Sequence, residues 1–271
     1  VSDIGIAIPT LDAERTLPAT LESLRAARRQ GAAVVLIDGG STDRTLAIAA
    51  AADIQVITAQ GSMYAALNTG FRTLRKSWLT WINADDLLYA DGIAPRLQVT
   101  TGVDVIYGAV DFIDSSGRFV HSWMSAAPAD LLPLYSAGYS PLLQQGTLFR
   151  RSVFERLNGF DESYRFVGDA DFWWRALEAG HVFRRDAHPP VAAFRLHSGQ
   201  LTQRFNTPMQ AEHERMVSAH GGRRRSLRSW SALCRFRGGN MPSYIVRFLR
   251  RRDLEGRIRL ARSYDFSREA Q

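Results

Sequence analysis

The stretch AVVLIDGGSTDRTLAIAAAADIQVIT, Ala33 to Thr58, decides how the first part of this chain is read. AVVLID is a β-rich apolar run, STDRTLAIAAAA opens with capping residues and continues as a good helix former, and IQVIT is a second β-rich run. Strand, helix and strand in that order make a crossover unit whose two strands lie parallel. The alternation extends on both sides. IGIAIP, Ile4 to Pro9, reads as a strand, and Leu17, Leu21 and Leu24 recur behind it at helical spacing. MYAALNTGFRTLR reads as a helix and WLTWIN, Trp78 to Asn83, as a further strand. The expected fold class is α/β, Rossmann-like, with a mostly parallel central sheet and helices on both faces. Ligands of such sheets bind beyond the carboxyl ends of the strands. Pro9–Thr10, Asp38 and the doublet Asp85–Asp86 all fall at those ends, so the pattern gathers them along one rim.

After residue 100 the pattern changes. VDVIYGAVDFID and RFVHSW flank SSG and read as a hairpin. RRSVFERLNG is a short helix stopped at Asn158–Gly159, DADFWWRALEAG is a helix ending at Gly180, and VAAFRL is a late strand. No internal repeat and no Pro- or Ser-rich linker separates the halves, so the chain reads as one catalytic unit.

Composition narrows the function classes. Of 271 residues, 45% are apolar, which is ordinary for a folded protein. No apolar run approaches the roughly 18 residues that span a bilayer. Asp3 sits where a secretion signal would be basic and then apolar, so a cytoplasmic setting is expected. The single cysteine, Cys234, excludes an intramolecular disulfide and a cysteine-built zinc site. Charge is divided unevenly. Residues 1–220 carry 20 Lys and Arg against 23 Asp and Glu, net −3, whereas residues 221–271 carry 14 Arg against 4 acids, net +10.

Neither PTLDAERTL at the first strand's end nor DGGSTD at the second's supplies G-x-G-x-x-G, which argues against a nicotinamide or flavin cofactor. Asp38 at a strand tip can accept a hydrogen bond from a nucleobase, with Gly39 and Gly40 letting the backbone come close; it can equally cap the following turn. In WINADDLL, Trp81 to Leu88, two adjacent carboxylates follow an apolar strand. They suit Mg²⁺ or Mn²⁺, which takes oxygen ligands and completes its shell with substrate phosphates; an exposed helix start is the alternative. Phe172, Trp173 and Trp174 could stack on a sugar ring, but at consecutive helix positions they face different ways and at least one belongs to the core.

The order of these segments resembles the family-2 glycosyltransferases, inverting enzymes of GT-A fold that use nucleotide-sugar donors. IPTLDAERTLPATLESL is similar to their opening strand and helix, and VVLIDGGSTDRT to their second-strand signature. SMYAALNTGF keeps Tyr64, Ala66, Asn68 and Gly70 of a G-x-Y-x-A-x-N-x-G segment. WINADDLL resembles the D-x-D element, and QQGTLFRRSVFERLNGFDESYRFVGDADFWWRAL the acceptor-side half. The match runs over about residues 3–202.

The resemblance implies roles. Residues 1–220 would form the GT-A catalytic domain, with 1–100 as the nucleotide-sugar half and 101–220 as the acceptor half. Pro9, Thr10 and Glu14 would shape the nucleotide pocket, Asp38 would contact the base, and Asn68 belongs to the donor-side motif. Asn83, where the family's first aspartate stands, could bond a ribose. Asp85 would bind the metal and Asp86 would support it or face the sugar. His197, in FRLHSGQLT, would add a metal ligand or a diphosphate contact; an ordinary histidine is the alternative. Asp169 would be the general base, with Asp171 its rival about 200° away around the helix. Gly168 replaces a glutamate common before the base, so a neighbouring carboxylate is missing, and Gln144 stands where many relatives have His.

Residues 221–271 would then be a basic amphipathic helical extension. Leu227, Trp230, Leu233 and Cys234 fall at helical spacing among arginines, and Ile245, Phe248 and Leu249 form a second stripe near Arg247 and Arg250 to Arg252. Such helices suit an anionic membrane surface, placing the protein on the inner face of the cytoplasmic membrane. Packing on the catalytic body or on a second subunit, as in a homo-oligomer, is the alternative. Arginine clusters also bind nucleic acid, but no nucleic-acid fold accompanies them. The expected function is inverting transfer of a sugar from a UDP-sugar, or a GDP- or dTDP-sugar, to a glycan or lipid-linked acceptor, with Mn²⁺ or Mg²⁺ as cofactor, in bacterial surface polysaccharide or glycoconjugate assembly. A sugar-nucleotide binder without turnover and a nucleotidyltransferase are the rivals.

Overall fold

The computed structural model describes residues 1–89, 93–97, 101–187, 189–197 and 206–249. The first half alternates as its sequence pattern requires. β1 (Ile4–Thr10) is followed by α1 (Leu17–Ser23) and α2 (Arg25–Arg29), β2 (Ala33–Asp38) by α3 (Thr45–Ala51), and β3 (Gln55–Thr58) by α4 (Met63–Thr73) and β4 (Trp78–Trp81). The second half adds β5 (Leu87–Leu88), α5 (Ile93–Leu97), β6 (Val105–Tyr107), β7 (Ala109–Ile113), β8 (Phe119–Met124), α6 (Pro128–Ser136), β9 (Leu148–Arg150) and α7 (Arg151–Arg156). α8 (Gly168–Glu178), β10 (Phe183–Arg185), β11 (Ala192–Arg195), α9 (Asn206–Ala219), α10 (Leu227–Gly239) and α11 (Met241–Leu249) complete it.

Among the described residues the strands form a seven-stranded sheet, β10-β6-β9-β4-β1-β2-β3, and a four-stranded one, β5-β11-β7-β8. In the large sheet β9 alone runs antiparallel to its neighbours β4 and β6. Successive strand residues point to opposite faces, and both faces are apolar. Ile4, Ile6 and Ile8 of β1 enter a core under α1 to α3, whereas Ala7 enters a second core with Tyr64 and Phe71 of α4. Leu79 and Trp81 of β4 join this second core, and Trp78 joins the first. Each fully buried side chain of this size contributes about 1.5–3 kcal/mol.

The segment VDVIYGAVDFID does not form the single strand its composition suggests. It divides at Gly108 into β6 in the large sheet and β7 in the small one. A side chain at residue 108 would meet Nη2 of the buried Arg96 at 2.9 Å, and that guanidinium pairs with the equally buried Asp186. The expected hairpin then forms between β7 and β8, with Ser116 and Arg118 donating backbone N–H groups to Asp114 in the turn.

Residues 221–249 are docked on the body. Ala232 of α10 is buried with Leu131 and Leu134 of α6, Arg235 pairs with Asp130, and Asn240 exchanges hydrogen bonds with Met124. The inner face of α10 thus runs through Ser229, Ala232, Leu233 and Phe236, while Leu227 and Trp230 of the expected stripe are 90% and 65% exposed. Met241, Ile245, Phe248 and Leu249 of α11 are exposed as well. Arg250 to Arg252 and the chain to residue 271 lie outside the described residues. Among the described residues, no helix is long and apolar enough to cross a membrane.

Candidate active site

The register of β1 and β2 sets Thr10 opposite Asp38. Ile82, just past β4, donates to Ala7 O of β1, so the exits of three strands meet at one edge. Asp38 is 1% exposed. Its Oδ2 accepts from Gly40 N at 2.9 Å and Ser41 N at 3.0 Å, and its Oδ1 from Ser41 Oγ at 2.5 Å. Pro9 lies inside β1 opposite Ile37, and the buried Thr10 hydroxyl donates to Ile8 O. Glu14 accepts from Arg44 N at 3.2 Å while its own N–H donates to Asp43, which ties the loops after β1 and β2 together.

Beyond β4 the two aspartates part. Asp86 is fully buried: Oδ1 accepts from Arg195 N at 2.9 Å, and Oδ2 from Gln145 Nε2 and Asn83 Nδ2, both at 3.1 Å. Burial, and then the charge on Asp85, push the Asp86 carboxyl well above the usual carboxylate range. Asp85 turns outward and lies 2.8 Å from Nε2 of His197, with the two side chains 27% and 26% exposed. Arg195 Nε donates to Asp85 O, and Thr20 Oγ1 donates to Ala84 O and Asp86 O, so the turn is held from both sides. Sequence reasoning missed Gln145 and Arg195, which meet Asp86 across 59 and 109 residues of chain.

A carboxylate oxygen and an imidazole nitrogen converging on one partly exposed point are a donor set that a divalent cation accepts. Oδ1 of Asn83, in the same turn, is buried and has no hydrogen-bond partner among the described residues. Among the described residues, no three His, Cys, Asp or Glu side chains converge to hold a metal by protein groups alone. Asp85 and His197 are a donor pair of the kind that fits a cation sharing its shell with a bound ligand.

Asp169 is the second residue of α8, and its Oδ1 accepts the hydroxyl of Tyr64 at 3.1 Å. Gly168 makes this contact possible, because a Cβ there would lie 2.7 Å from the Tyr64 ring. Burial raises the Asp169 carboxyl above its ordinary value, against the opposing pull of Ala170 N–H and the Tyr64 hydroxyl. A half-buried carboxylate of raised basicity is suited to taking a proton. Asp171 faces elsewhere, held by Arg175 Nε at 2.7 Å and His220 Nε2 at 3.2 Å.

Phe172, Trp173 and Trp174 are all core. Trp173 stacks on Trp81 at 5.9 Å, which seats α8 against the end of β4. Gln144 Nε2 donates to Trp81 O at 2.8 Å and braces the same strand end. Asn68 does not join the rim. Its Nδ2 donates to Phe160 O and to Glu162, and its Oδ1 accepts from Phe160 N, so both ends of the amide hold the loop after α7.

Residues 5–157 match the model of glycosyl transferase family 2. A PGL/p-HBAD biosynthesis glycosyltransferase of Mycobacterium tuberculosis is 32% identical over 202 residues, 70% of this chain and 75% of that protein. Among solved structures, TarS 1–349 of S. aureus in complex with UDP-GlcNAc superposes with a TM-score of 0.63 at 16% identity, covering 89% of this chain and 73% of that one. The mannosyltransferase PcManGT of Pyrobaculum calidifontis, in complex with GDP-Man and Mn²⁺, gives 0.57 at 18% identity over 82% and 66%.

Proposed function

The chain belongs to glycosyl transferase family 2 and is a glycosyltransferase of glycoconjugate biosynthesis; from that premise we propose how its residues work. The donor is a nucleoside diphosphate sugar, UDP-linked in the first instance, of the hexosyl or N-acetylhexosaminyl type. Support comes from the neighbours, which carry UDP-GlcNAc in one case and GDP-Man with Mn²⁺ in another. Its nucleoside lies along the ends of β1 and β2, where Pro9, Thr10, Glu14 and Asp38 shape the loops, and Asn83 Oδ1, just past β4 and without a partner among the described residues, accepts a hydrogen bond from it. Asp38 shapes its loop through its own turn, since its oxygens are already occupied by Gly40 and Ser41.

Asp85 and His197 would hold a divalent cation beside the donor, and Asp86 fixes the turn that presents Asp85. When bound, the cation supplies positive charge to the leaving diphosphate. Asp169 takes the proton of the acceptor hydroxyl as that oxygen bonds to the anomeric carbon. The bond from that carbon to the diphosphate oxygen breaks, the nucleoside diphosphate leaves, and one displacement inverts the centre. Asp171, engaged by Arg175 and His220, is not the base. The observation that carries this reading is the division of labour in the doublet: one aspartate is consumed by protein donors and its neighbour is turned out beside a histidine. Family membership favours neither the binder without turnover nor the nucleotidyltransferase. Release of nucleoside diphosphate from UDP-GlcNAc or UDP-glucose, dependent on Mn²⁺ and abolished by EDTA, tests it; release of sugar 1-phosphate, the leaving group of attack at phosphorus, overturns it.

The acceptor is presented at an anionic membrane surface. Leu227, Trp230, Met241, Ile245 and Leu249 stand out from α10 and α11, with Arg223 to Arg225 and Arg228 exposed beside them. Apolar side chains flanked by arginines match a headgroup layer over acyl chains.

A further inference from the structure

α8 begins without a cap of its own. Val167 stands at the N-cap position and has no side-chain acceptor to offer. The N–H groups of the turn that enters the helix need partners when they are removed from water. They find them on another helix. Glu212 of α9 is 11% exposed at its side chain, and its Oε1 accepts from Arg165 N at 2.6 Å. Its Oε2 accepts from Phe166 N at 2.5 Å and from Val167 N at 3.1 Å. Three successive backbone donors thus converge on one carboxylate, two residues ahead of Asp169.

Residue 168 carries no side chain beside Asp169, because Gly168 must leave room for the Tyr64 ring. From this geometry we infer that Glu212 is a positioning residue for Asp169: it fixes the entry to α8 and sets a negative charge beside the base, where residue 168 supplies none. The inference rests on the reading of Asp169 as the base. Facing Asp169 from the packed elements are the Tyr64 hydroxyl of α4, the buried Tyr135 of α6 and Glu212 of α9; Asp171 on α8 is neutralised by Arg175 and His220. Arg215, one turn from Glu212, is its half-exposed counter-charge at 3.9 Å. Glu212 acts on Asp169 in the same sense as burial, raising its affinity for a proton.

The test is the pH profile of nucleoside diphosphate release from whichever of UDP-glucose, UDP-GlcNAc and GDP-mannose gives the largest thermal shift with Mn²⁺. Glu212→Gln removes the charge at nearly constant shape. Its kcat should fall about tenfold with donor KM within about twofold, and the acid limb of kcat should move to lower pH by about half a unit. Glu212→Asp keeps the charge and should keep the limb at its wild-type position. Superimposable limbs for wild type and Glu212→Gln overturn the inference. Asp169→Asn separates the two levels: near-normal turnover there removes the base reading itself, whereas loss of turnover with an unmoved Glu212→Gln limb removes only the role of Glu212. If Glu212→Gln does not fold, hydrogen exchange of the intact protein decides. Protected amides at 165–167 support the clamp, and exchange at the rate of exposed loops overturns it.

Discussion

Asp85 and Asp86 are adjacent in the chain and live in opposite environments: Asp86 is sealed beneath Arg195, Gln145 and Asn83, and Asp85 stands beside His197 at the surface. Burial, and then the charge on Asp85, disfavour ionisation of Asp86. Asp85→Asn should therefore remove metal-dependent donor binding without destabilising the metal-free protein. With Asp86 raised in the folded state, stability falls as pH climbs from the ordinary carboxylate range through the Asp86 titration, and Asp85→Asn should flatten that fall. The check is the unfolding midpoint against pH in EDTA; a steeper fall in the variant contradicts it.

Asp86→Ala should behave differently. It strands the Arg195 N–H and the Gln145 and Asn83 amides inside the protein, at a cost of about 2–4 kcal/mol. Denaturant unfolding reads this directly, and a loss below about 1 kcal/mol would show that water replaces the carboxylate.

Tyr64→Phe removes a donor to the ionised form of Asp169, so the acid limb of turnover should move to higher pH, opposite in sign to Glu212→Gln. Activity is present above the limb and lost as pH falls through it. A limb that does not move would detach Tyr64 from the base.

Asn68→Ala should cost about 2–4 kcal/mol, because Phe160 N–H and O lose their partner together, while donor KM stays within about twofold. A large rise in KM with unchanged stability would return Asn68 to the donor site, where the sequence motif alone puts it.

The outward stripe of α11 gives a surface prediction. Ile245→Glu with Leu249→Glu should release the protein from vesicles containing anionic lipid, with the unfolding midpoint unchanged since both side chains are exposed. Unaltered flotation of the double variant would take α11 out of the membrane contact.

Periodicity carried the first hundred residues well, because strands buried on both faces and helices of regular spacing leave a local signature. β9 left none: three residues, inserted antiparallel between β4 and β6, are fixed by partners far away in the chain. α6 holds Pro133 within it and α9 lies past the last recognisable segment, so neither was anticipated. The split at Gly108 depends on Arg96, which only folding brings near. The same division applies to the site. Asp85, Asp169 and His197 stand in segments of recognisable order; Gln145 and Arg195 stand in such segments too, but their contacts with Asp86, like that of Glu212 with the start of α8, are long-range and no spacing encodes them.

Calorimetric titration of UDP into the protein, with and without Mn²⁺, for wild type, Asp85→Asn and His197→Ala, puts the Asp85–His197 site to the most direct test. Binding that needs Mn²⁺ in the wild type and is lost in both folded variants is the expected result. Equal affinity in all three proteins, indifferent to Mn²⁺ and EDTA, would contradict it.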